Sequence, residues 1–413
     1  MQMQNKEKYW LQLFPETFLW SKNGQSLVYN AKEKISFQID NTGPVKKITD
    51  QLQNLQNLYC AELSNSELTD YGVEHFINKI HETSSGKITE VKADQSQPVT
   101  LVPILNLQSD VERIRKEFPS SVGEHIMDYL HSVTLFLNGS ISCLSPDLYH
   151  QAVLKKQASQ PDFIKIENLL NNIEKSALGQ IVIIAEKMSN FPDFDLLINR
   201  LDQMHIKKFF QINWKLFDDN LQLLDFIKTN QYFLIISVDN SFSAGKIRAI
   251  ASSVENDKKQ VQWKFFITSE QEYEQAAAII EELKLENTEI VPVYTGCNIR
   301  FFEDYVYLSE EDLQHPGLNR REVFAHQALN TNDFGKLMVM PDGKIFANLY
   351  HPPLGTAGDD IRELVYKEMD KGTSWRRIRD MKPCCDCVYQ WLCPSPGNYE
   401  LAIGKPNLCH LKP

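Results

Sequence analysis

Between residues 130 and 295, short apolar runs alternate with stretches whose apolar positions recur every three or four residues. The runs are Val133–Asn138, Gln180–Ala185, Lys208–Trp214, Tyr232–Val238, Val261–Thr268 and Glu289–Tyr294. Runs of this length bounded by turn residues read as strands, and the stretches between nearly all of them read as amphipathic helices. Six such units predict a parallel sheet, either open and doubly wound or part of a barrel, since parallel neighbours need a long crossover. Six is short of the eight that close a full barrel. Ser269-x-x-Glu272 supplies a capping box for the helix expected to run to Leu285.

The rhythm differs before this region. From Thr17 to Val91, two alternating runs flank Asn23-Gly24, a strong hairpin signal, and Ile35-Ser36-Phe37-Gln38-Ile39 alternates as a third strand. Pro44 then opens a helical pattern with Val45, Ile48, Leu52 and Leu55 on one face. A second helix carries Val73, Phe76, Ile77 and Ile80 and is broken by Ser84-Ser85-Gly86. Strands followed by helices at this length predict a winged-helix-like module. A three-stranded sheet must end in an edge, and an edge beside an apolar helix is a ready site for an extended peptide. On this reading the peptide adds along Ile35, Ser36, Phe37, Gln38 and Ile39, beside Val73, Phe76, Ile77 and Ile80. Asp40, Asp70 and Glu74 would favour a basic peptide. The alternative is a structural wing whose edge is covered.

A third pattern begins at Lys336. Leu337–Ala347 reads as a hairpin turning at Pro341-Asp342-Gly343, a helical stretch lies near Asp360–Asp370, and the remainder is loop-like and rich in cysteine. The 413 residues, 42% apolar and 23% charged, are those of a globular chain of two or three domains. The start lacks a signal-peptide pattern, and no apolar run is long enough to cross a bilayer, which predicts a cytoplasmic protein. Eight cysteines in a reducing compartment point to metal chemistry rather than disulfides. A net charge of −11 argues against a nucleic-acid partner.

Cys384-x-x-Cys387 lets two thiolates from one turn reach a single centre, with Cys393 as a third and Cys409 closing the set. Four soft thiolates suit zinc or an iron–sulfur cluster, and the spacing does not separate the two. Cys385 is expected to point away, and His410 is an alternative to Cys409. Cys60, Cys143 and Cys297 stand alone and read as small buried apolar residues. Asp239 and Glu186, at strand ends, read as solvated or helix-capping carboxylates.

The tail from Cys384 through Trp391-Leu392-Cys393-Pro394-Ser395-Pro396-Gly397 to Asn407-Leu408-Cys409-His410 resembles the SPASM domain of peptide-modifying radical SAM enzymes. The whole chain resembles the pseudo-radical-SAM proteins of Bacteroidales peptide (RiPP) maturation systems. The resemblance implies that Cys384, Cys387, Cys393 and Cys409 ligate one auxiliary 4Fe-4S cluster. It also implies that the other auxiliary cluster is absent, since Gly397 and Asn348 stand where its cysteines belong. The middle region then resembles a partial (β/α)6 radical-SAM barrel. Its first loop, Gly139–Pro146, holds only Cys143 in place of the cysteine triplet, and Ala185-Glu186-Lys187-Met188 lacks the glycines that meet SAM, so no SAM binding is expected.

The N-terminal module resembles a RiPP recognition element, which holds the leader of a ribosomal precursor peptide. The expected architecture is α/β. Residues 1–95 form the winged-helix-like module, 96–335 the degenerate partial barrel and 336–413 the Cys-rich SPASM-like domain. The implied role is a non-catalytic partner of a catalytic radical SAM maturase, with no nucleic acid or membrane partner. The alternatives are an electron-transfer iron–sulfur protein serving such an enzyme, or a structural zinc-binding scaffold. No convincing nucleophile and base pair favours a separate catalytic activity.

Overall fold

The computed structural model describes residues 8–92, 96–104, 116–117, 123–138, 162–174, 176–228, 231–239, 241–372 and 374–411. The Gly139–Pro146 loop with Cys143 lies outside them.

The N-terminal module starts with β1 (Lys8–Leu13), followed by β2 (Thr17–Lys22), β3 (Gln25–Asn30) and β4 (Ile35–Asp40). Strands β2, β3 and β4 form the expected antiparallel meander. Asn23 at φ 49° and Gly24 at φ 77° make the turn whose twist matches a two-residue hairpin. The helix Gly43–Gln53 has Pro44 in its first turn, where a missing N–H is harmless, and buries Val45, Ile48 and Leu52. Leu55, expected on the same face, is 56% exposed. The chain leaves the helix at Asn54, whose side chain accepts the Gln56 N–H and starts a separate turn.

A second sheet was not legible in the pattern. It has the order β5-β1-β6, with β5 at Cys60–Ser64 and β6 at Gly86–Glu90, all antiparallel. Gly86 permits the close pairing, because a Cβ there would meet the Gln12 carbonyl oxygen at 2.5 Å. The helix Tyr71–Glu82, capped by Asp70, fills the space above this sheet. Its Val73, Phe76, Ile77 and Ile80 are buried in one core with Leu11, Leu13, Ile48 and Leu63.

In the middle region, β7 (Ser132–Phe136), β8 (Gln180–Ile184), β9 (Lys207–Asn213), β10 (Tyr232–Val238), β11 (Val261–Ile267) and β12 (Thr288–Pro292) pair in chain order, all parallel. Alternate residues such as Val133, Leu135, Ile181, Ile183, Phe210, Ile212, Leu234 and Ile236 pack with the helices in the main core. The opposite face carries a smaller cluster with Phe136, Ile184 and Phe266. Strands buried largely on both faces, as β7 to β11 are, give near-continuous apolar runs, which is why they were legible.

The sheet stays open rather than closing on itself. β12 ends it on one side, and β7 is joined on the other by β13 (Lys336–Val339) in parallel, then by β14 (Lys344–Phe346) and β15 (Gly355–Thr356) in antiparallel. The hairpin read from the sequence as the start of the tail therefore extends the central sheet to nine strands. Gly343, at φ 82°, makes its turn.

After the helix Ile361–Lys371, regular structure is sparse: a single turn at Cys384–Asp386 and a short helix at Asn398–Ile403. Trp375 anchors this segment in the main core. The N-terminal module packs on it, because the face of the meander that carries Phe18, Leu27 and Tyr29 shares a cluster with Val388, Tyr389, Leu392 and Cys393. The module thus uses both faces of its meander, Leu19, Val28 and Ile39 turning inward and Phe18, Leu27 and Tyr29 turning to the tail.

Candidate functional site: a cysteine turn and a groove along β4

Cys384 and Cys387 close one helical turn, with the Cys387 N–H donating to the Cys384 carbonyl at 3.1 Å. Cys384 and Cys393 are buried, while Cys387 and Cys409 are half-buried. Cys409 is delivered from the chain end by a parallel bridge to Leu308, held by the Leu308 N–H on Leu408 and the His410 N–H on Leu308 at 3.0 Å each. Burial pushes up the thiols of Cys384, Cys387 and Cys393, the last to about 12, and each also feels negative charge on other members of the set, Cys409 included. The four cysteines therefore occupy one electrostatic neighbourhood.

Among the described residues, no group of three or more His, Cys, Asp and Glu side chains is arranged to hold a metal ion. The donor chemistry nonetheless fits a tetrathiolate group: four soft ligands, largely buried, in a segment with little regular structure of its own. Arg379 adds a cation, its Nη1 3.8 Å from the Cys384 sulfur and its Nη2 2.9 Å from Glu400. The Asn407 side-chain amide lies 3.1 Å from the Cys409 sulfur.

Cys385 turns toward Asp386, with its sulfur 3.6 Å from that carboxylate. His410 is engaged at the Glu303 carbonyl at 2.8 Å. Cys60 is buried as expected, but Cys297 is exposed, because it sits in the turn that follows β12. Gly397 and Asn348 line one cavity of about 470 Å³, in which the buried Asn348 amide donates to Asp333 at 2.9 Å and Asn398 at 2.7 Å.

At the ends of the parallel strands, the Glu186 and Met188 N–H groups donate to the side chains of Asn138 and Asn220. Asp239 is not solvated, contrary to the reading from sequence: it is 1% exposed and pairs with Lys215 at 2.9 Å. Burial pushes its carboxyl upward, but hydrogen bonds from Ser241 and Lys215 outweigh this and hold it below the usual range.

The second feature is a groove of about 840 Å³ between β4 and the start of the Tyr71–Glu82 helix. Ser36, Phe37, Gln38 and Ile39 form one wall, Tyr71 and His75 another, and Glu310 and Gln314 reach in from the far side. Among the described residues β4 pairs only with β3, so its outer edge takes no strand, although the Ser36 hydroxyl donates to the Gln314 carbonyl at 2.8 Å. Because the Asn41 N–H donates to Gly24, antiparallel alternation turns the Ser36 and Gln38 amides away from β3. Asp40, Asp70 and Glu310 border the groove, and its lining includes no Lys or Arg among the described residues.

The helix face assigned to this groove from sequence is a correction. Val73, Phe76, Ile77 and Ile80 are at most 9% exposed and belong to the module's core, because β1 and β5 lie beneath them. Ile39 is buried on the same side, and Ile35 is exposed outside the groove lining. The residues of this helix that border the groove are Tyr71, 84% exposed, Gly72 and His75. The signal for Tyr71 was an aromatic placed directly after the capping Asp70, off the apolar stripe.

No helix of the described residues is long and apolar enough to cross a membrane. No family model and no curated protein matches the chain. Among solved structures, SuiB of Streptococcus suis bound to precursor peptide SuiA is similar at 11% identity and a TM-score of 0.47, covering 97% of this chain and 99% of that one. SuiB bound to S-adenosylmethionine gives 12% and 0.41 over 97% and 99%. The protein anSMEcpe with bound AdoMet gives 12% and 0.44 over 63% and 88%. These likenesses are loose, and the chemistry of the site rests on the residues described above.

Proposed function

We propose that this chain is a non-catalytic partner in radical-SAM peptide maturation, holding a precursor leader peptide along β4 and one 4Fe-4S cluster on Cys384, Cys387, Cys393 and Cys409. The observation that carries the peptide half is the unpaired β4 edge facing a groove. An extended peptide would take main-chain hydrogen bonds from Ser36 and Gln38, with alternate side chains entering between Phe37, Tyr71 and His75. The bordering carboxylates favour a basic segment, an attraction that weakens as salt rises.

The cluster half rests on the donor set and its shared electrostatic neighbourhood. When bound, such a cluster ties the tail together and offers a one-electron site. The non-catalytic character is supported by the loop after β8, whose N–H groups at Glu186 and Met188 are engaged by Asn138 and Asn220 rather than open to a ligand.

Calorimetry of the full chain against leader peptides encoded near its gene tests the first half. Binding that is abolished by Gln38→Pro, which removes the outward N–H, supports it. The absence of binding at high micromolar concentration, with and without the maturase, makes the meander a structural wing. Iron, sulfide and zinc analysis of anaerobically purified protein tests the second: about four irons with sulfide supports a cluster, and one zinc without sulfide replaces it with the zinc scaffold.

A further inference from the structure

The tip of the β2–β3 hairpin is exposed at Asn23 and Gly24 but half-buried at Lys22. It lies against the turn that carries Cys384 and Cys387, more than 360 positions away in sequence. Lys22 donates through Nζ to the Cys385 carbonyl at 2.6 Å and to the Gln390 side-chain oxygen, while the Asn23 amide donates to the Asp386 carbonyl at 3.1 Å. Gln390 in turn donates to the Arg379 carbonyl at 2.6 Å. The Lys22 ammonium lies 6.0 Å from the centre of the Trp391 ring.

The electrostatics have a direction. Burial at the interface pushes the Lys22 ammonium below its usual range, and the negative groups beside it, Cys387 first, then Cys385, Asp386 and Cys384, oppose that shift. Arg379, the other cation near the thiols, reaches the Cys384 sulfur at 3.8 Å but also pairs with Glu400 at 2.9 Å, and both of those side chains are under a tenth exposed, so its charge is shared. Four thiolates around a dipositive core leave a double negative charge, whether the core is one zinc ion or an oxidised 4Fe-4S cluster. A partly buried charge of that size needs compensation. The hairpin is suited to supply it, since two successive residues at positive φ hold the tip in one shape.

We infer that Lys22 is a positioning residue of the four-cysteine site: the N-terminal module supplies, across the domain interface, the positive charge that holds the Cys384–Cys387 turn and offsets the thiolates. The inference rests on the reading that these cysteines hold one metal centre, but not on which metal. It makes the peptide-binding module part of the metal site. It also gives a physical path between the two, since Tyr389, two residues after Cys387, donates to Gln38 of β4 at 3.0 Å.

The test uses the full chain, with zinc as the probe irrespective of the native metal. Zinc loss to a chromophoric chelator is compared for wild type, Lys22→Gln and Lys22→Arg. Gln keeps hydrogen-bonding capacity without the charge, and Arg keeps the charge. The expected result is loss about tenfold faster for Lys22→Gln, with Lys22→Arg close to wild type, as for other outer-shell partners of metal ligands. If the chain purifies with a cluster, Lys22→Gln also shifts its reduction potential to more negative values, because removing a nearby positive charge disfavours the electron. Equal zinc retention by wild type and Lys22→Gln overturns the inference while leaving the metal reading intact. A wild-type chain that binds neither zinc nor iron overturns both.

Discussion

The parallel-sheet body and the cysteine tail of residues 372–411 are held together by different means, although they touch. The body spreads its stability over many contacts: each strand contributes alternate Ile, Leu, Val or Phe residues to one core, and ladders satisfy the backbone. The tail has almost no ladder. Its carbonyls are met by individual side chains, with Asn330 reaching Arg377 and Pro396, Arg377 reaching Pro396, and Arg379 reaching Pro394. The Glu368 carboxylate receives the N–H groups of both Ser374 and Trp375 where the tail begins. Damage to the body should be graded and shared, whereas damage to the tail should be concentrated in a few groups.

The largest effect that separates the two regions is expected from the cysteines. On the proposed metal reading, Cys387→Ser or Cys409→Ser should abolish metal retention and remove hydrogen-exchange protection from the tail while the β7–β12 strands keep theirs, since metal-binding free energy, on the order of 10 kcal/mol in small sites, would there be folding energy. Equal protection in the metal-free and loaded chain would erase the contrast. Next is Trp375→Ala, which empties a fully buried position where the tail enters the core and frees the Lys336 carbonyl held by Nε1 at 3.0 Å. It should lower stability in a denaturant titration by about 3–5 kcal/mol and destabilise both regions.

Gly335→Ala probes the joint between them from the sheet side. Gly335 sits at φ +74°, and a Cβ there would meet His131 at 2.5 Å and the Tyr129 carbonyl oxygen at 2.7 Å. The expected loss is about 1–3 kcal/mol, read as a lower denaturation midpoint. The smallest effect is reserved for Leu55→Ala in the N-terminal module. Because Leu55 is 56% exposed, the change should stay within about 0.5 kcal/mol. A loss above 2 kcal/mol would return Leu55 to the core face that its spacing suggested.

Legibility followed the range of the interactions. The six parallel strands were readable to within a residue or two, because burial makes β7 to β11 largely apolar runs, while the edge strand β12, with no fully buried residue, was readable from its Ile290-Val291 core between turn residues. The meander was readable because Asn23-Gly24 acts locally. β1, β5 and β6 escaped because a six-residue strand such as Lys8–Leu13 takes its pairing from segments some fifty and eighty positions away, a choice no local window contains. The helix Tyr71–Glu82 shows the limit for the site: periodicity identified its apolar face correctly but not what that face meets, and it meets the module's own core.

By itself, then, the sequence determined the elements with strong local signals and the run of six strand–helix units, without deciding between an open sheet and a partial barrel, and it offered four cysteines as candidates for one centre. The tertiary structure alone decided that the Lys336 hairpin joins the central sheet, that Tyr71 and His75 rather than Val73 and Phe76 border the β4 groove, and that Lys22 reaches the cysteine turn. The reason is that periodicity and turn chemistry act over a few residues, while the docking of one face on another is settled by shape and charge between segments hundreds of positions apart.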